Sequence, residues 1–123
     1  MVEALAVALG GALGALSRYG AEMLRLWPER PWLTTMTVNI AGSLLIGLLW
    51  VWLSRPGTPQ PLTRLLMTGV LGGFTTYSTF ALDSLKLLEG GHRAVAALYV
   101  AATLLLALGA CALGAYTMRR FLS

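Results

Sequence analysis

Asn39, Ser43, Thr75, Thr76, Tyr77, Ser78, Thr79, Tyr99 and Thr103 are neutral hydrogen-bonding side chains that fall inside long apolar runs. Hydroxyls and amides in such surroundings can replace the water around a small ion. Aromatic neighbours such as Phe80 can contribute as well, because a ring edge carries the positive part of the quadrupole. Cation and proton carriers typically need a buried carboxylate as relay or binding charge. Here Glu3, Glu22, Glu29, Asp83 and Glu89 all lie towards the ends of apolar runs or in loops. Arg18 falls well before the end of its run and would supply positive potential at a mouth. Taken together the set favours an anion. Plainer readings stand beside this one. Arg18 has Glu22 at i+4 for a local pair, Asn39 can hold a helix bundle together by an interhelical bond, and Tyr77 with Phe80 can be core packing.

The stretch that must position these groups is Gly69-Val-Leu-Gly72-Gly73-Phe-Thr75-Thr76-Tyr77-Ser78-Thr79-Phe80. Adjacent glycines lower helix propensity and paired β-branched residues restore little, so the spacing predicts a break near the centre of the third apolar segment. Backbone freed at membrane depth is tolerated only when buried in protein or lining a wet cavity. Beyond the break, helical spacing puts Tyr77, Phe80 and Ser84 on one face and Thr76, Thr79 and Asp83 on the next. In the second segment Thr35, Asn39 and Gly42 fall at i, i+4 and i+7 and share a face.

Composition sets the class. Of 123 residues, 57% are hydrophobic and only 11% charged, with a mean hydropathy of +0.73, which is outside the range of globular domains. Four apolar segments, about 4–26, 33–53, 62–88 and 94–118, are each long enough to cross a hydrocarbon core. They leave no room for a soluble domain, so residues 1–123 read as one all-α membrane domain in the lipid bilayer. The first segment lacks a positive n-region and is too long for a signal peptide, so it is expected to remain as a span. Trp27-Pro-Glu-Arg-Pro-Trp32 is an interfacial turn, with Trp50 and Trp52 forming the other aromatic belt. The net charge is +4, but the basic residues are scattered singly, with no stripe to follow a phosphate backbone, which argues against nucleic acid. Cys111 reads as a small buried hydrophobe. His92 stands alone in a loop, with no second ligand for a metal. No catalytic constellation stands out, and the expectation is a non-enzyme.

Four short helices enclose little cavity alone, so a conduit is expected from an oligomer. An even number of spans puts Arg55, Arg64, Arg119 and Arg120 on one side. Arg25, Arg30, Arg93 and Lys86 fall on the other. That balance gives the positive-inside rule almost nothing to act on, and predicts insertion in both orientations.

Three stretches resemble the motifs of the Fluc/CrcB fluoride channels: Gly11-Ala-Leu-Gly-Ala-Leu-Ser-Arg18-Tyr19, then Thr35 to Gly42 with Val38-Asn39, then Gly72-Gly-Phe-Thr-Thr-Tyr-Ser-Thr-Phe80. They occur in order over three of the four segments, and length and span number also match. The resemblance implies a passive, fluoride-selective channel in the bacterial inner membrane, exporting fluoride from the cytoplasm. It also implies an antiparallel, dual-topology homodimer. Asn39 would line the pore as a donor, and Tyr77 and Phe80 would form an aromatic box flanked by Ser78 and Thr79. Tyr99, Thr103 and Thr35 would form a polar track, and Arg18 the vestibule. Backbone carbonyls of Gly72 and Thr75 from both subunits would hold one structural sodium ion.

The chain departs from the family at Tyr77, where phenylalanine is usual, and at Ala107, which lacks a hydroxyl some members carry. Two rivals come from other classes. A small multidrug transporter shares size, span number and dual topology but needs a carboxylate deep in the first span, and Glu3 and Glu22 sit too near its ends. A non-conducting assembly subunit accounts for small-residue spacings but not for a polar, interrupted third span.

Overall fold

The computed structural model describes residues 1–123. It is wholly helical, with four helical stretches long and apolar enough to cross a membrane. Helix α1 is Val2–Met23 and α2 is Trp32–Leu53. The third stretch begins with α3, Gln60–Thr63, and continues as a π-helical segment, Arg64–Leu71, into α4, Gly72–Phe74. Thr75 and Thr76 are extended, with ψ of 158° and 114°, and α5 then runs Tyr77–Glu89. Helix α6 is Arg93–Leu122.

Boundaries at two ends differ from the apolar pattern. Helix α1 stops at Met23, because Arg25 takes a positive φ of 45° that ends the helix ahead of Pro28. Helix α6 runs past the apolar run to Leu122, where Arg120 Nε donates to the Tyr116 hydroxyl one turn back, at 3.0 Å.

Helices pack in two parallel pairs, and small residues decide both. Gly10 and Gly14 of α1 face Gly69 and Gly73 of the third stretch, each set spaced one turn apart. A Cβ on Gly69 would sit 2.8 Å from the Cα of Gly10, and one on Gly73 would sit 2.5 Å from the Gly11 carbonyl oxygen. In the second pair, Gly47 of α2 lies on the backbone of Cys111 and Ala115, and Gly114 of α6 on that of Leu44 and Leu48. Between lipid-facing helices there is no hydrophobic gain to bring them together, so contact of this kind rests on close van der Waals approach. The two pairs run antiparallel to each other, so that Thr35, Asn39 and Gly42 meet Asp83, Thr76 and Thr75 in turn.

Only 16 of the 123 residues are buried, and rows such as Leu5, Leu9 and Leu16 on α1 or Leu98 and Leu105 on α6 face outward. In water that surface would drive aggregation; in hydrocarbon it is the solvated face.

Candidate functional site

Where the third stretch is interrupted, its hydrogen bonds are rerouted one by one. The Thr76 N–H would go to the Gly72 carbonyl in a continuous α-helix. It donates instead to Asn39 Oδ1 at 2.8 Å, and Asn39 Nδ2 donates back to the Thr76 carbonyl at 2.9 Å. The Thr79 N–H donates to Thr76 Oγ1 at 3.2 Å, which makes Thr76 the N-cap of α5. The Thr75 carbonyl accepts no hydrogen bond at all. Arg18 Nε reaches across from α1 to the Gly73 carbonyl at 3.3 Å, and its Nη1 lies 3.7 Å from Glu22. The local pair and the contact with the interrupted backbone therefore coexist.

Two half-helix ends meet here. The carbonyl end of α4 is the negative pole of its stretch, and the N–H end of α5 is a positive pole. The released carbonyls of Gly72 and Thr75 are hard oxygen donors of the kind a sodium ion takes, and Gly72 is exposed on the protomer surface. On chemical grounds these residues fit such an ion.

Beside the interruption lies a groove of about 360 Å³. Its polar lining is Asn39, Ser43, Thr75, Thr76, Tyr77 and Thr103; Gly72, Phe80, Leu71 and Ala107 are among the rest. It contains no ionisable group other than the Tyr77 phenol. Phe80 is buried, while Tyr77 is 78% exposed and lies with its ring centroid 5.7 Å from that of Phe80. The Thr103 hydroxyl is the one buried side-chain polar atom without a hydrogen-bond partner. A helical threonine ordinarily satisfies itself on the carbonyl one turn back, so an orphan here stands out.

A second polar cluster lies further along α5. Thr35 Oγ1 donates to Asp83 Oδ2 at 2.7 Å, and the Tyr99 hydroxyl approaches the same oxygen at 3.5 Å. Rings connect the two regions: Phe80 to Tyr99 at 5.4 Å and Tyr99 to Trp32 at 5.3 Å, edge to face. Ser78 and Thr79 do not line the groove; their hydroxyls gather on Thr76 Oγ1 at 3.4 and 3.0 Å.

The structure thus brings Asn39, Tyr77, Phe80, Thr103, Gly72 and Thr75 to one groove. It sets Thr35 and Tyr99 apart on a carboxylate. Asn39 spends its oxygen and one N–H on the backbone, leaving one N–H over. Asp83 is the participant that residue type alone passed over. Its spacing of four from Thr79 puts it on the polar face of α5, but a place towards the end of an apolar run gives no sign that Thr35 and Tyr99 converge on it.

The model of the family described as CrcB-like protein, Camphor Resistance (CrcB), matches residues 5–115. The chain is 51% identical over 112 residues to a protein named fluoride-specific ion channel FluC from Paracoccus denitrificans, covering 89% of each chain. A protein of the same name from Azotobacter vinelandii is 47% identical over 104 residues, covering 82% of this chain and 84% of the relative. One from a Methylobacterium strain is 41% identical over 124 residues, covering 98% and 99%.

Proposed function

The chain belongs to the CrcB family, and on that premise we propose that it is a passive, fluoride-selective ion channel that lets fluoride leave the bacterial cytoplasm across the inner membrane. The observation that carries this reading is the groove, which offers neutral donors and ring edges at membrane depth and no fixed carboxylate. Fluoride is small and strongly hydrated, so a pore must offer close substitutes for water at each step. The N-terminal end of α5 adds a fixed positive potential where the anion would pass.

In this reading the ion meets Tyr77 and the free N–H of Asn39 at the groove and passes the edge of Phe80. It then takes the unpartnered hydroxyl of Thr103 as a donor. Ser78 and Thr79 hold the N-cap of α5 in shape and can turn a hydroxyl towards the ion. Farther along, Tyr99 and Thr35 are donors that Asp83 already occupies, so the anion competes with that carboxylate for them. Negative charge at this position repels a resident anion, which favours release over tight binding. Arg18 adds positive potential beside the interrupted backbone.

The working unit is an antiparallel, dual-topology homodimer. Tyr77, Ser78 and Gly72 are exposed on the protomer midway along a spanning stretch, and polar groups there need protein rather than lipid against them. The third span acts as two half-helices, with Gly72 and Thr75 carbonyls from both copies holding one sodium ion. That ion would supply a fixed central charge tying the protomers together.

The test is efflux from liposomes containing only this purified protein, read with a fluoride electrode and repeated with chloride. Fluoride release far faster than chloride release is expected. Equal rates for the two anions, or no release from a correctly assembled protein, would overturn the proposal.

A further inference from the structure

The two ends of the protomer differ in net charge. Parallel packing within each pair puts the C-termini of α2 and α6 and the N-termini of α1 and α3 at one end. That end has Arg55, Arg64, Arg119 and Arg120 against a single carboxylate, Glu3, which lies 3.7 Å from Arg64. The opposite end sets Glu22, Glu29, Asp83 and Glu89 against five cations, so three of the four net positive charges belong to the first end.

The three remaining arginines at that end are exposed and have no carboxylate partner. Each lies instead over an aromatic ring at the level of the interfacial belt. Arg55 is 5.4 Å from the Trp52 ring centroid, Arg119 is 5.2 Å from that of Trp50, and Arg120 is 5.4 Å from that of Tyr116. Ring contact reduces the freedom of a long side chain while leaving guanidinium N–H groups for an acceptor. Arg55 is further fixed by donating Nε to the Trp52 carbonyl at 2.9 Å. It lines a cleft of about 340 Å³ together with Trp52, Thr58, Pro59 and Leu62.

We infer that this end of the protomer binds the headgroups of anionic phospholipids, with Arg55, Arg119 and Arg120 as the phosphate-binding cations. Arginine matches phosphate with paired N–H donors, Trp50 and Trp52 mark the depth at which headgroups lie, and the cleft admits the glycerol portion beside Arg55. The inference needs only that the chain crosses a membrane. It is independent of the ion carried.

Purified protein in a neutral detergent would be titrated with phosphatidylglycerol or phosphatidylcholine, and bound lipid counted by native mass spectrometry. Three juxtamembrane arginines imply a preference for the anionic lipid on the order of 100-fold at low salt, shrinking as salt is raised. The variant R55Q/R119Q/R120Q should lose nearly all of that preference, whereas R25Q/R30Q/R93Q at the other end keeps most of it. Should the first variant fail to assemble, Arg119→Gln and Arg120→Gln singly should each reduce the preference by about fivefold. Equal loss from both ends, or no preference in the unaltered protein, would overturn the inference. Displacement of the lipid by free glycerol phosphate at similar concentration would also overturn it, by showing a small-anion site rather than a lipid one.

Discussion

Asn39 and Thr76 exchange two hydrogen bonds, side-chain amide to backbone amide, in the way two paired strands do. One residue of α2 thereby satisfies both the N–H and the carbonyl that the interruption would otherwise leave bare at membrane depth. The pairing needs a donor and an acceptor on the same planar side chain, which aspartate cannot supply.

Asn39→Asp keeps the acceptor for the Thr76 N–H but sets a carboxylate oxygen against the Thr76 carbonyl and adds charge within the groove. Fluoride efflux should fall to background. Thermal stability in detergent should fall too, since an unmet buried carbonyl costs about 1–3 kcal/mol. Asn39→Leu should lose the stability without adding charge. Unaltered melting in both variants would show that the exchange does not support the fold.

Gly72 separates packing within a protomer from packing beyond it. A Cβ there would meet only the Met67 carbonyl oxygen, at 3.8 Å, whereas one on Gly73 would press on α1 at 2.5 Å. Gly72→Val is therefore expected to leave the protomer folded but lose the dimer and transport, as measured by size-exclusion chromatography and efflux. Gly73→Val should fail to fold, and Thr75→Ser should be mild, because only the backbone of Thr75 is proposed to hold the ion. A fully active, dimeric Gly72→Val would argue against both the sodium ion and the interface at this face.

Opposed orientation is checked by tagging one terminus and measuring its accessibility on each side of the membrane. Both populations are expected, because basic residues are balanced between the two sets of loops. Moving several arginines into one set should force a single orientation and reduce assembly. One orientation in every unaltered molecule would remove the antiparallel dimer.

The four spans were legible because hydropathy and length suffice for them. Much of the polar face of α2 was legible too, since Thr35, Asn39 and Gly42 all turn to the third stretch at the spacing a helix imposes. Pairing was not. Gly10 and Gly14 announce that some helix comes close, but nothing in their spacing says that the partner is Gly69 and Gly73 rather than another copy. The π-helical geometry of Arg64–Leu71 had no signal either, because a wider turn needs no particular residue and depends on what the segment packs against. Asp83 follows the same rule: its place towards the end of an apolar run carries no information about its neighbours, and Thr35 and Tyr99 come from two other helices to meet it.

Phe80→Leu tests the ring. Phe80 is buried between the rings of Tyr77 and Tyr99, so leucine retains much of the volume and removes the quadrupole. Efflux should slow by about tenfold or more while the dimer elutes unchanged, tenfold corresponding to roughly 1.4 kcal/mol on the barrier. Near-normal efflux would discard the aromatic box and leave the hydroxyl groove as the pathway.

Thr103 gives the most selective test, because its role in stability and its role in transport should carry opposite signs. Its hydroxyl is buried without a partner, and an unsatisfied buried polar group costs about 1–3 kcal/mol. Thr103→Val keeps the branched shape and removes that cost, so the variant should melt at the same temperature or a few degrees higher. It also removes a buried donor that the groove holds in reserve, so fluoride efflux should slow, while Thr103→Ser, which keeps the hydroxyl, should conduct near normally. A stable, slow Thr103→Val is the pattern of a group retained for the ion against the interest of the fold. Lower stability would mean the hydroxyl has a structural partner after all, and unchanged efflux would take Thr103 out of the pathway.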